Sequence, residues 1–489
     1  MSYYMGIDLG TSSVKLYLND QNGNLLKESS RSYEFSQPNS GWKEIETDLW
    51  WNRMCEAVDE LLTGIDRLEI KGIGVTGQMH TLILLDENGQ VIRPAMMWND
   101  TRTAELIPEL KTAMLGTNIE YLTKIISTGS PAANLLWVKK NEKDNFERIK
   151  KFLIGPDYIV YRLTGKYGTD YCEASTSSLY DTINKCWSPI MQHLIGLSDD
   201  VYPEVKGSAE IAGNILPDVA LRFGLQKNTR VIVGTGDNPA ASIPTGCLGN
   251  NNVVFSMGTS GVLMFERKNL DYEAKGKNIL FSFDREHCNI LVQGVVQSCG
   301  SSFSWWNKDI LENNDYKYID GIMDREKLGY NKVIFYPHLL GDKTIYGDPM
   351  LRGAFIGLGT DTSRNDMVQA VMEGIAYALR QLSDEMHLSA KELKELKVIG
   401  GGAKSNIWLQ ILADVMQIKI AQLGGKGGAG YGIALLAAYG CGDIETIENI
   451  SDSAVEVIGY FYPDKDKIPL YEEGYKKYLK IHDLIKALM

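Results

Sequence analysis

One local design occurs twice in this chain, half a chain apart. Residues 3–30 read in turn as a strand (YYMGID), a glycine turn (GTSS), a strand (VKLYLND), an Asn-Gly turn (QNGN) and a third strand (LLKESS). From residue 251 the first three steps recur as NNVVFSM, GTSG and VLMFERK. Two hairpins with the same Gly-Thr-Ser tip predict two related domains facing each other. Helical patterns lie among the strands: DLWWNRMCEAVDELLTGI in the first half, RNDMVQAVMEGIAYALRQLSDEMHL in the second. Each domain is therefore expected to be α/β, a mixed sheet flanked by helices. The 489 residues suffice for this, at roughly 150 residues per domain. The boundary is placed near residue 245, giving domains 1–245 and 246–489. TLILLDENGQVIRPAMMW reads as a further hairpin, and KVIGGGAKSNIWLQILADVMQ as strand, glycine loop and helix. EEGYKKYLKIHDLIKALM reads as one amphipathic helix, and KELKELK at 391–397 as a solvated helix face.

Composition removes several classes of function. The net charge of -12 opposes nonspecific binding to nucleic acid or anionic membranes. The 7 cysteines are odd in number, widely spaced and without C-x-x-C, which fits neither a disulfide framework nor a zinc site. A reducing, cytoplasmic setting is expected. No uncharged apolar run approaches the ~18 residues of a membrane span, and MSYYMGIDLG lacks the basic and apolar regions of an export signal. His193, His287, His338, His387 and His482 show no metal-ligand spacing.

Three glycine loops carry the chemistry. In DLGTSS the backbone N–H groups around Gly10, Thr11 and Ser12 form a nest suited to phosphate oxygens, although a plain surface turn reads the same way. Asp8 at its mouth suits hydrated Mg²⁺, which keeps most of its waters and takes few protein ligands. MGTSG, with Gly258 and Thr259, makes a second nest. GGGAKSN at 400–406, with Gly401, Gly402 and Asn406, offers a flat backbone surface to a purine or its ribose. Neither G-x-G-x-x-G nor a Walker motif occurs, which sets aside dinucleotide and P-loop folds.

A fourth stretch, GTGDNPAAS at 234–242, holds Asp237 and Asn238 on a loop of small residues after RVIV. Asp followed by Pro is what a helix-capping turn uses. The same sparse loop leaves a carboxylate clear to take a proton. Met79-His80, after the strand-like KGIGVTG, reads by itself as core filling.

Together these motifs resemble the FGGY carbohydrate kinases, members of the actin-like, ribonuclease H-like ATPase superfamily. The resemblance runs along the whole chain: GIDLGTSSVK at 6–15, GVTGQMHTLILLDENGQVIRPAMMWNDTR at 74–102, PDYIVYRLTG at 156–165, GTGDNPA at 234–240, SMGTSGV at 256–262 and GAFIGLGTDTSRNDMVQAVMEG at 353–374. Within the family, Gln78-Met79-His80 and Trp98-Asn99-Asp100 are most similar to the xylulokinase branch; gluconate kinases differ at both places, and the Arg-Glu pair of glycerol kinases is absent. One departure falls in SPAANLLWVKKNE, where Asn134 stands at a position that is usually Lys.

The resemblance implies ATP-dependent phosphorylation of D-xylulose in a cleft between two actin-like domains. It implies that Asp237 is the general base and that Asp8 is catalytic, holding Mg²⁺ through water. Gln78, Met79, His80 and Asn238 would contact the sugar. Gly10, Thr11, Ser12, Lys15, Gly258, Thr259, Gly401, Gly402 and Asn406 would contact ATP. Trp305 and Trp306 stand open between stacking on the nucleotide and filling the core. Ribulose, 1-deoxyxylulose and gluconate are alternative substrates. An actin-like ATPase driving partner binding is the alternative of another class, and it needs no sugar pocket. The expected partners are small molecules, with a homodimer as one assembly open to the chain.

Overall fold

The computed structural model describes residues 2–248, 252–283, 288–313, 315–388, 393–424, 427–446, 449–450 and 454–488. Asn251, His287, Lys391, Glu392 and Met489 of the motifs above lie outside the described residues.

The first sheet consists of β1 (Tyr3–Leu9), β2 (Ser13–Asp20), β3 (Leu25–Ser32), β4 (Ile70–Gly77), β5 (Ile211–Asn214) and β6 (Arg230–Ile232), in the order β5-β6-β4-β1-β2-β3, with the short β7 (Thr235–Gly236) also paired to β4. The second consists of β8 (Val253–Met257), β9 (Gly261–Arg267), β10 (Lys277–Ser282), β11 (Cys288–Val296), β12 (Glu395–Ile399), β13 (Lys419–Gly424) and β14 (Glu456–Phe461), in the order β10-β11-β9-β8-β12-β13-β14. The sheets share one topology. In each, the first hairpin strand pairs antiparallel with its successor and parallel with a later strand, β4 for β1 and β12 for β8. Read from the opposite edge, β5-β6-β4-β1-β2-β3 corresponds to β14-β13-β12-β8-β9-β11, and β10 is extra. The repeated hairpin design is thus the core of two α/β domains.

Both faces of the first sheet are covered at its centre, so β1 and β4 are buried on both sides, while the edge strand β3 is polar and mostly open. Met5, Ile7 and Leu9 of β1 pack with Trp50, Met54, Val58 and Leu61 of α1 (Thr47–Leu61). Behind the sheet edge lie α2 (Tyr171–Thr176) and α3 (Asp237–Ser242). The second domain carries α4 (Arg364–Glu385), which opens with a capping box of Ser363 and Asp366, and α5 (Asn406–Met416), capped by Ser405.

One helix crosses the division between the halves. α6 (Ala429–Cys441) comes from the second half yet lies on the first sheet. A Cβ on Gly6 would stand 2.0 Å from the Gly430 carbonyl oxygen, one on Gly74 2.5 Å from that of Ile433, and one on Gly432 2.0 Å from that of Ala240. Glycine is required there because backbone meets backbone. Buried Ile433, Leu435 and Leu436 join Tyr4 and Ile232 of the first sheet to Val254, Met264 and Leu291 of the second in one cluster.

Two readings of the sequence are corrected. KELKELK is no helix face: Glu395–Ile399 is β12, with Leu396 and Val398 buried and polar residues alternating between them. It lies between β8 and β13, so its apolar residues obey the period of a strand. The C-terminal segment is two helices, Ile468–Tyr478 and Ile481–Lys486, because the turn at Leu479 and Lys480 interrupts the run.

Candidate active site

Three strand ends meet at one edge of the first sheet. Leu9, the last residue of β1, is level with Gly77 at the end of β4, and Gly77 is level with Gly236 of β7. Asp8 precedes the first of these ends and Asp237 follows the last, as the first residue of α3. Two carboxylates are thereby delivered to the same edge. The Asp8 carboxyl is pushed up to about 6, by burial first and then by the negative charge of Asp237, against the opposing pull of Lys15, its cross-strand partner. The Asp237 carboxyl is also pushed up to about 6 by burial, against the pull of Lys277 and the Asn238 N–H. Among the described residues no donor hydrogen-bonds the Asp8 carboxylate.

The segment after β4 turns beside them. Gln78 is buried and spends both ends of its amide on the protein: Nε2 donates to the Gly10 carbonyl at 3.2 Å, and Oε1 accepts from Thr81 Oγ1 at 3.1 Å. It braces the first hairpin against β4. Met79 is buried beneath Asn238, whose Nδ2 lies 3.4 Å from Met79 Sδ. His80 adopts the left-handed backbone region (φ 69°), and its N–H donates to Glu173 Oε2 of α2 at 3.3 Å. Its Nε2 lies 3.2 Å from Nζ of Lys277, at the start of β10. A paired-carboxylate edge, two phosphate-type hairpins and a group of polar side chains beside them are parts that phosphoryl transfer to an alcohol requires.

Residues 3–244 match the N-terminal domain, and residues 253–441 the C-terminal domain, of the FGGY family of carbohydrate kinases. The chain belongs to this family. It is 32% identical to a xylulose kinase from Bacillus subtilis (strain 168) over 100% of this chain and 98% of that protein. A solved xyloylose (xylulose) kinase from Brucella ovis is similar with a TM-score of 0.88 and 29% identity, each chain fully covered. A gluconate kinase from Lactobacillus acidophilus, at 21% identity, a TM-score of 0.86 and coverage of 99% and 98%, shares the fold. The chain is therefore a carbohydrate kinase of two actin-like domains, using ATP to phosphorylate a sugar. No described helix is long and apolar enough to cross a membrane.

The residues expected to contact the nucleotide lie at the matching edge of the second sheet of this FGGY kinase. A Cβ on Gly400 would stand 2.7 Å from the Met257 carbonyl oxygen and one on Gly402 2.8 Å from Met257 Cε, so the glycine loop rests on the base of the second hairpin. Gly258 and Thr259 accept from the N–H groups of Gly300 and Ser301 at 3.0 and 2.9 Å. Thr259, Gly401 and Asn406 are exposed, as are Ser12 and Lys15 on the first hairpin. Trp306 is buried against Phe355, which is a core position; Trp305 is half-buried. The start of α6 touches both groups. A Cβ on Gly430 would lie 3.2 Å from Asp8 Cβ, and one on Gly427 3.9 Å from Ile399 Cδ1.

Trp98-Asn99-Asp100 divides by role. Exposed Trp98 donates from Nε1 to Thr11 Oγ1 at 3.1 Å, leaning on the first hairpin. Asp100 is buried in an ion pair with Arg102 at 2.7 Å. Asn134 is buried in the helix Pro131–Asn141, with Nδ2 donating to the Gly129 carbonyl at 3.3 Å. A Cβ on Gly129 would stand 2.0 Å from the Trp98 carbonyl oxygen, so Asn134 supports the loop that carries Trp98.

Glu173 and Lys277 were not singled out by sequence reasoning. Both lie outside every motif used, and only the tertiary fold brings them to His80. Glu173 is held well above the usual carboxylate range by burial and by Asp157 and Asp170, which are themselves raised by burial. Its Oε1 is buried without a hydrogen-bond partner.

Proposed function

We propose that this kinase transfers the γ-phosphoryl group of ATP to D-xylulose, giving D-xylulose 5-phosphate and ADP, with Asp237 as the general base. The placement of Asp237 carries this reading. Its carboxylate stands at the open start of α3, beside Asp8 and the Met79-His80-Asn238 group, where a sugar hydroxyl can be held against an incoming phosphoryl group. Similarity to xylulose kinases along the full chain supports the choice of sugar.

In this mechanism the hydroxyl proton passes to the Asp237 carboxylate as the hydroxyl oxygen bonds to the γ-phosphorus. The bond from phosphorus to the bridging oxygen breaks, and ADP leaves with its electron pair. His80 and Asn238 orient the sugar, and Met79 supplies the apolar wall. The backbone nests of the two hairpins receive phosphate oxygens, and closure of the domains excludes water as a competing acceptor. Asp8, a carboxylate without a donor among the described residues and next to a second acid, suits a hydrated Mg²⁺. When bound, that ion would neutralise charge on the phosphates.

One observation favours a second reading. The Lys277 ammonium could pair with the carboxylate of a sugar acid. Its charge already faces Glu173 and Asp237, so the ketose is preferred. An assay of ADP release over D-xylulose, ribulose, 1-deoxyxylulose, gluconate and glycerol tests the choice, with kcat/KM expected to be highest for D-xylulose. A tenfold preference for another member would replace the substrate. ADP release that no sugar stimulates would overturn the kinase reading in favour of a partner-coupled ATPase.

A further inference from the structure

Lys277 lies on β10, the strand that has no counterpart in the first sheet. That strand pairs with β11 on one side only. Its other side is tied to the first domain: Leu280 N–H donates to Ser175 Oγ of α2 at 3.1 Å, and Ser208 N–H donates to the Ser282 carbonyl at 2.7 Å. The extra strand therefore carries a second-domain lysine to the sugar-side wall of the first domain.

We propose that Lys277 is a positioning residue of the sugar site, fixing the ring of His80 from across the domain division. This rests on the reading of the Met79-His80-Asn238 group as the sugar site. Burial holds the His80 imidazole neutral, so its Nε2 accepts from Lys277 and the ring proton stays on Nδ1. An ammonium has three N–H donors, which leaves two for Asp237 or for a carbonyl or hydroxyl oxygen of an open-chain ketose between His80 and Asp237.

Burial draws Lys277 below the usual lysine range, and the groups that face it, Cys172 and Glu173 from α2 and Asp237 from α3, oppose that shift.

The test compares the parent with Lys277→Met and Lys277→Arg, measuring kcat and both KM values, with folding checked by thermal unfolding. Lys277→Met should raise the sugar KM about tenfold or more and leave the ATP KM within about twofold. Lys277→Arg should recover only part of the sugar KM, because it keeps a donor and loses the single-point bond to His80. Equal changes in both KM values, or Lys277→Arg no better than Lys277→Met, overturn the inference. If Lys277→Met does not fold, the KM split in Lys277→Gln decides in its place. His80→Ala separates the two claims. Should it leave the sugar KM unchanged, the reading of the sugar site fails; should it raise that KM while Lys277→Met matches the parent, only the role of Lys277 fails.

Discussion

Asp237→Asn is expected to make the protein more stable and inactive, and the stability gain should depend on pH. In the fold the Asp237 carboxyl titrates at about 6 against an ordinary value of 3.8, because burial disfavours its charged form. Unfolded, it ionises near 3.8, so below that pH both states are protonated and the residue is neutral to stability. Between 3.8 and about 6 only the unfolded state gains from ionising, and above 6 the folded state bears the full cost. At ~1.4 kcal/mol per pH unit, that cost reaches ~3 kcal/mol, and solvent at this half-buried position reduces it to about 1–3 kcal/mol. An amide of the same shape avoids it. For a domain of this size each kcal/mol moves the unfolding temperature by about 2–4 °C, so Asp237→Asn should gain about 3–10 °C at pH 8. The gap should shrink to about half at pH 5. Calorimetry of both proteins at the two pH values measures the gain, and ADP release measures turnover, which should fall about 10²- to 10⁴-fold. An equal gap at both pH values, or a loss of stability at pH 8, refutes the desolvated carboxylate. Turnover within a few-fold of the parent removes Asp237 from the mechanism.

His80→Ala should raise the sugar KM far more than the ATP KM, by the roughly 1–3 kcal/mol of a lost polar contact; equal effects in steady-state kinetics would mark a purely structural histidine. Gly432→Ala should destabilise by about 1–3 kcal/mol or more, since its Cβ would stand 2.0 Å from the Ala240 carbonyl oxygen and backbone gives way poorly. It should also cut turnover, because Ala240 belongs to the helix that begins at Asp237; a variant with parental denaturant midpoint and kcat would show that α6 and α3 are not in rigid contact. Small-angle scattering should show a more compact particle when D-xylulose and a nonhydrolysable ATP analogue are bound together, and an unchanged profile would count against closure.

The parts of the fold that the sequence made legible are those set by short-range chemistry. The Gly-Thr-Ser hairpins, the Asn-Gly turn and the capped α4 each carry their determinant within a few residues. β12 was misread because alternating Lys and Glu also suit a helix; what decides is burial between two parallel strands, which KELKELK does not encode locally. In the site, Asp8, Met79, His80, Asp237 and Asn238 come together as expected because each ends or follows a strand at one sheet edge. Gln78 instead braces the hairpin, since Gly10 and Thr81 take both ends of its amide. Glu173 and Lys277 were invisible for a physical reason: β10 and α2 meet only across the domain division, and neither has a local motif.

That division bears on how one fold would combine a firm edge carrying Asp8 and Asp237 with the closure we propose. Asp8 and Asp237 are fixed within the first sheet by the level ends of β1, β4 and β7, so their spacing does not depend on the second domain. The phosphate nests are split, one on each sheet, and only a change in the angle between sheets alters their separation. Two elements resist that change. α6 is locked to the first sheet by backbone contacts at Gly6, Gly74 and Gly432, and β10 is hydrogen-bonded to the first domain through Ser175 and Ser208. Tyr272 of the second domain also stacks on Tyr121 of the first, so any closing motion must pivot near α6, β10 and this pair, and swing the second hairpin and the Gly400–Gly402 loop toward Asp237. On such a pivot Lys277 moves little. In the mechanism we propose, the sugar site stays assembled while the nucleotide arrives, and closure then brings the γ-phosphate to a hydroxyl already held beside its base.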